Sequence, residues 1–132
     1  MNISDCLIQM ICGPMGYLVR PGEVPTDRVM KRPELPLFNG NKIEKYIKTM
    51  DEQNSLTELY TKYAIDFIRR QQNKPFFLYF AHTMVHVPLP VSDKFSGKKV
   101  SKGFFGDAMM EVDWSIGEVL KAVRETGMEE NT

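Results

Sequence analysis

Several features that would assign a class at once are missing from these 132 residues. There is no charge imbalance: Lys plus Arg and Asp plus Glu both number 17, so net charge gives no reason to expect nucleic acid or an anionic membrane as a partner. No uncharged apolar run approaches the roughly 20 residues needed to cross a bilayer, which predicts no transmembrane segment. The N-terminus has no basic stretch leading into a long apolar core, so no signal peptide is read there. The only cysteines, Cys6 and Cys12, could pair in an oxidising compartment, but two cysteines in a chain of this length are no disulfide framework. Histidine is equally scarce, and both copies, His82 and His86, fall in one short stretch.

What is present is enough apolar residue, 42%, to bury the core of one ordinary domain. The most informative stretch is Phe76–Pro90, FFLYFAHTMVHVPLP. Phe76 to Ala81 are aromatic or aliphatic without alternation, which predicts a strand covered on both faces. Open α/β sheets carry their chemistry at the carboxyl ends of such strands. Pro88 and Pro90 fix φ and remove donors, so a stiff loop is expected to hold His86 where an imidazole can bind an anion or move a proton. His82, still close to the strand, fits a hydrogen-bonded core or loop residue, and His86 is the stronger candidate. The H-x-x-x-H spacing would make a zinc site only on a helix, and the prolines oppose one.

Around that stretch the pattern is that of a layered α/β unit. Residues 1–29 carry Gly, Pro and Cys without periodicity, including PGEVP at Pro21–Pro25, and read as loop. Leu35–Phe38 and Lys42–Ile47 flank Asn39-Gly40, which predicts a type I′ hairpin with Ile43 and Ile47 facing inward. Ser55 and Glu58 form a capping-box pattern opening a helix over 55–72, with Leu56, Leu59, Tyr60, Tyr63, Ala64, Phe67 and Ile68 on its apolar face and Arg69-Arg70 at its end. A second helix is predicted over 104–126, with an apolar stripe of Phe105, Ala108, Met109, Val112, Ile116, Val119, Leu120 and Val123 and Gly127 as its terminator. Helix, buried strand, loop, helix is incomplete as a sheet protein, because a lone buried strand leaves its backbone edges unpaired. Exposed edges of that kind predict self-association.

LYTKYAIDFIRR, KPFFLYFAHTMVHVPL and GFFGDAMMEVDWSIGEVL, in that order, closely resemble the middle of the arylsulfatase-type sulfatases of the alkaline phosphatase-like superfamily. The resemblance runs from about Met30 to Thr132, so residues 30–132 are expected to be a partial sulfatase domain, incomplete at both ends, with a divergent segment over 1–29. It implies a partial alkaline phosphatase-like α/β fold and hydrolysis of sulfate monoesters by the full-length form. It also implies a formylglycine nucleophile made from the cysteine or serine of C-x-P-S-R, a calcium ion held by Asp and Asn side chains, and an extracytoplasmic setting. His86, in HVP, matches the histidine that contacts the sulfate in the family, and is the one site residue that carries over.

The departures are as telling. Cys12-Gly13-Pro14 imitates the start of the nucleophile motif, but Met15-Gly16 stand where Ser-Arg should be, and it reads as a decoy. The paired aspartates of the family's first strand and its later Asp-Asn-Gly have no match. Asp107, Glu111 and Asp113 could be mistaken for a replacement metal cluster, but on a helix Glu111 and Asp113 point in different directions, and capping, loop contacts or solvent suit them better. The chain alone is therefore expected to be inactive and to bind no metal or cofactor. Two rival readings stay open: a non-catalytic sulfatase-like fragment or interaction module, and a phosphate or phosphonate ester hydrolase of the same superfamily.

Overall fold

In this computed structural model residues 35–71, 74–86, 89–98 and 103–132 are described. The expectations for residues 1–29, for Cys6 and for Cys12-Gly13-Pro14 lie outside the described residues. Leu35–Asn39 (β1) pairs antiparallel with Lys42–Ile47 (β2). Asn39 faces Lys42 across the ladder, so Gly40 and Asn41 are the central turn residues, and of the two only Gly40 has positive φ, at 61°. Positive φ at the first central position alone is the type II′ pattern, which corrects the type I′ reading of Asn39-Gly40.

The register slips once. Leu37 faces Lys45 and Phe38 faces Ile43, leaving Glu44 as an extra residue in β2. That bulge reverses the alternation, so Ile47 is buried while Ile43, expected to face inward with it, is 44% exposed. Leu35, Leu37 and Ile47 then pack against Leu56 and Tyr60 of the first long helix.

A short helix absent from the sequence reading, Met50–Asn54 (α1), precedes that long one. Thr49 Oγ1 accepts from the Glu52 amide at 3.2 Å while Glu52 accepts from the Thr49 amide, so the capping box is Thr49–Glu52 and not Ser55–Glu58. Ser55 has helical dihedrals and donates its hydroxyl to the Asp51 carbonyl, and so continues a turn instead of opening one. The helix Leu56–Arg70 (α2) buries Leu56, Thr57, Tyr60, Thr61, Ala64, Phe67 and Ile68.

Gly103–Glu125 (α3) is the third helix. Its end is a Schellman motif: Gly127, at φ +70°, donates to the Arg124 carbonyl, Met128 donates to that of Val123, and Met128 also covers the apolar cluster below. The face it buries corrects the predicted stripe. Asp107, Ala108, Glu111, Ser115, Ala122 and Val123 are buried, whereas Phe105, Met109, Ile116 and Leu120 are 45–55% exposed. The helix therefore turns a small, polar seam toward α2 and leaves much of its hydrophobic stripe uncovered by the described residues.

Phe76–Ala81 runs alongside without a strand partner among the described residues, because the sheet there is only the β1–β2 hairpin. Its exposure alternates. Phe76 and Leu78 pack against Phe67, Ile68, Ala122 and Val123, and Phe80 against the hairpin cluster. Phe77 and Tyr79 are 78% and 81% exposed, so the strand expected to be covered on both faces is covered on one. The observed architecture is thus mixed: helices packed with one antiparallel hairpin, consistent with part of an α/β domain.

Two glycines in or near α3 should respond to alanine with opposite signs. Gly117 lies inside the helix, with nothing within 4 Å of an added Cβ, so Gly117→Ala is expected to raise unfolding free energy by up to about 1 kcal/mol. Gly127→Ala forces a side chain into the left-handed region and should lower it by about 1–2 kcal/mol. Denaturant titration of the two variants checks both, and equal effects would contradict the Schellman assignment.

Candidate functional site

The segment that carries both histidines is fastened to the helices at its two ends. On the far side, the Val91 amide donates to Asn54 Oδ1 at 3.3 Å and the Ser92 amide to Glu111 Oε2 at 3.2 Å. The Ser92 hydroxyl donates to Glu58 Oε1 at 3.3 Å, and the Gly97 amide to Asp107 Oδ2 at 2.9 Å. Leu89, Val91 and Phe95 pack on Ala108, Met110 and Trp114, and the Lys94 ammonium lies 3.8 Å from the Trp114 ring centroid. The Ser92 and Gly97 backbone donors go to carboxylates and that of Val91 to the Asn54 amide oxygen, which is why Asp107 and Glu111 are buried on a helix.

On the near side, His82 is half-buried with its ring edge-on to Phe80, centroids 4.4 Å apart. Its Nε2 lies 3.3 Å from Ser115 Oγ, and Ser115 in turn bonds Thr61, whose hydroxyl donates to the Thr57 carbonyl at 2.7 Å. Burial holds the His82 pKa below its ordinary value. Between the two fastenings sits His86, exposed, its carbonyl accepting from the Leu89 amide at 3.0 Å. Leu89 has φ +60°, an uncommon conformation for a bulky side chain, held by its packing on Val91 and Phe95. Val87 and Pro88 of the HVP motif lie outside the described residues.

The three acidic residues of α3 separate as the helix geometry requires. Asp107 and Glu111, one turn apart, face the 92–97 loop, and Asp113 is exposed. No group of three His, Cys, Asp or Glu side chains that could hold a metal ion occurs among the described residues, and the two buried carboxylates are engaged by backbone amides. The described residues therefore do not fit the calcium site that the resemblance implies. Glu111 is the incompletely paired member: it is fully buried, its Oε1 has no hydrogen-bond partner among the described residues, and its pKa is raised first of all by desolvation. The neighbouring Glu58 charge adds to that shift, while the Ser92 donors and Lys94 oppose it.

Sequence reasoning missed Ser115, Thr61, Thr57, Ser92 and Glu58. One signal was available: Asp107, Glu111 and Ser115 recur every four residues and so share one face of α3, as Thr57 and Thr61 share one face of α2.

The sequence profile of the family described as Sulfatase matches residues 22–132. The chain is 36% identical to N-acetylgalactosamine-6-sulfatase of Canis lupus familiaris over 109 residues, which is 76% of this chain and 21% of that protein. The Homo sapiens enzyme of the same name is 35% identical over 108 residues, 76% of this chain and 20% of that protein. Steryl-sulfatase of Rattus norvegicus is 33% identical over 81 residues, 61% of this chain and 14% of that protein. The chain thus spans about one fifth of the length of the N-acetylgalactosamine-6-sulfatases it matches.

The orphaned carboxyl gives a pH signature of known sign. A folded pKa above the ordinary 4.5 means that the Glu111 contribution is fully present below that pH and is lost as pH rises through the folded pKa. Glu111→Gln keeps an acceptor for the Ser92 amide and removes the charge. Its melting temperature relative to the parent chain is expected to climb as pH rises above 4.5, and a pH-independent difference would show that Glu111 does not titrate as the burial requires.

Proposed function

The chain belongs to the sulfatase family, and from that membership we propose that it forms part of a sulfate-monoester hydrolase of the alkaline phosphatase-like fold, with His86 as the group that contacts the sulfate. The observation that carries the reading is the coincidence of the family match over 22–132 with the placement of His86, exposed on a short segment fastened by a partly buried hydrogen bond on one side and a buried one on the other. An imidazole presented this way donates to a sulfate oxygen or to the departing ester oxygen, and so favours the charge that builds there as the S–O bond breaks. Rigidity matters because hydrogen-bond stabilisation of a transition state falls off with small misplacements.

The substrate class that goes with the reading is the sulfate monoester. The names of the relatives point to unlike alcohols, an amino sugar and a sterol, and the feature those names share is the sulfate. The calcium ion and formylglycine nucleophile that the resemblance implies are assigned in this proposal to parts of a sulfatase domain other than the described residues, and they would supply the Lewis acid and the attacking oxygen. An extracytoplasmic setting accompanies the same reading. No described helix is long and apolar enough to cross a membrane. The competing reading, a non-catalytic sulfatase-like piece, draws on Met15-Gly16 standing where the nucleophile motif requires Ser-Arg.

An aryl sulfate assay separates the two. The 132-residue chain by itself is expected to show no turnover and no calcium-dependent rise in melting temperature. In a complete sulfatase carrying this segment, His86→Ala should lower kcat by about 10²–10⁴-fold with little change in thermal stability, and His82→Ala should lower it less. Turnover by the isolated chain would overturn the division of labour proposed here. An unchanged kcat in His86→Ala would remove the assignment of His86.

A further inference from the structure

The hydroxyl chain beside His82 has only one consistent order of donors. The Thr57 carbonyl can only accept, so the 2.7 Å contact from Thr61 Oγ1 uses the single Thr61 hydroxyl proton. Thr61 must then accept from Ser115, which spends the single Ser115 proton. Ser115 has nothing left to give His82, so the 3.3 Å contact requires the proton to be on Nε2 and donated to Ser115 Oγ. The neutral ring consequently carries its lone pair on Nδ1. Thr61 and Ser115 are almost wholly buried, 1% and 0% exposed, so water does not substitute for either partner.

We propose that His82 is a positioning residue: as the Nε2–H tautomer it ties the chain four residues before His86 to both long helices, through Ser115 of α3 and Thr61 of α2, and thereby sets where the His86 imidazole is presented. Sequence alone treats His82 as the lesser of two similar histidines. The structure gives the pair different tasks, since one ring is half-buried and committed to an internal hydrogen bond and the other is exposed. The tie complements the Ser92–Glu111 and Ser92–Glu58 bonds on the far side of His86, so the segment is fixed relative to α2 and α3 at both ends. For catalysis the proposal rests on the reading of His86 given above, but the tie itself is a property of this chain.

Both parts are testable in the 132-residue chain by long-range proton–nitrogen NMR of the imidazoles. His82 is expected to show a protonated Nε2 and an unprotonated Nδ1, and Ser115→Ala should abolish that preference. The His86 ring signals should shift in Ser115→Ala and in His82→Leu but stay near the parent positions in His82→Gln, whose side-chain amide can still donate to Ser115. Amide dispersion from α2 and α3 identifies any variant that has failed to fold, and the tautomer of the parent chain decides the donor order without a variant. An Nδ1–H tautomer, or His86 signals indifferent to all three substitutions, would overturn the proposal. In a complete sulfatase carrying the segment, His82→Leu should lower kcat roughly tenfold or more with KM little changed, and His82→Gln should restore most of it. Loss of the sulfatase reading would appear instead as no effect of His86→Ala on turnover while the NMR results hold.

Discussion

The seam between α2 and α3 is the constraint on which the described structure depends. At its lower end the contact is hydrophobic: Phe67 and Ile68 meet Ala122 and Val123, with Phe76 edge-on to Phe67 at 5.5 Å. Burying side chains of that size is worth about 1.5–3 kcal/mol each, and this end holds the helices together. At its upper end the seam is small and polar, with Thr57, Thr61, Ser115, Glu111 and Asp107 all nearly inaccessible. Those groups contribute little net cohesion, because a satisfied hydrogen bond returns only about 1 kcal/mol. They determine direction instead, receiving the donors of the 92–97 loop and of His82. One end of the seam supplies stability and the other sets the loop geometry.

The same division explains the uncovered surface. A helix that turns its polar seam inward must leave its hydrophobic stripe elsewhere, and Phe105, Met109, Ile116 and Leu120 accordingly stand partly exposed. Phe77 and Tyr79 are uncovered for the complementary reason: their segment alternates, and only the Phe76–Leu78 side meets the helices. A chain that matches about one fifth of its longer relatives is expected to show such faces, since a two-sided strand and a two-faced helix each need a neighbour on either side.

Local signals were legible in the sequence and long-range ones were not. The α2 face was largely readable because Leu56, Tyr60, Ala64, Phe67 and Ile68 are both apolar and buried, although Leu59 and Tyr63 are only partly covered and Thr57 and Thr61 are buried with them, and Gly127 was readable because a C′ glycine is a local feature. The hairpin was readable as a hairpin, but its turn type and the Glu44 bulge depend on register, which no local pattern fixes. Of the predicted α3 stripe only Ala108 and Val123 are buried among the described residues: hydrophobicity shows that a face wants cover, not which element in this chain supplies it. The strand at Phe76–Ala81 failed as a strand for the same reason, since pairing belongs to two segments at once. At the candidate site, His86 is a proposal drawn from its loop prolines and a family motif. The four-residue spacing of polar residues along each helix marks Ser115 and Thr61 separately, but not that they meet, because they are 54 residues apart.

Burial at the polar half of the seam also gives His82 and Glu111 opposite pH slopes. Desolvation lowers the His82 pKa from 6.5 and raises that of Glu111 from 4.5, in each case favouring the neutral form. The His82 contribution is present above pH 6.5 and lost as pH falls through its folded value, while that of Glu111 is present below pH 4.5 and lost as pH rises through its own. Between 4.5 and 6.5 the unfolded chain carries both charges, which the folded seam resists, and the two slopes partly cancel. Protonating His82 adds a proton at Nδ1 and leaves the Nε2 donor in place, so even where the charge costs stability the hydrogen bond that orients the loop persists.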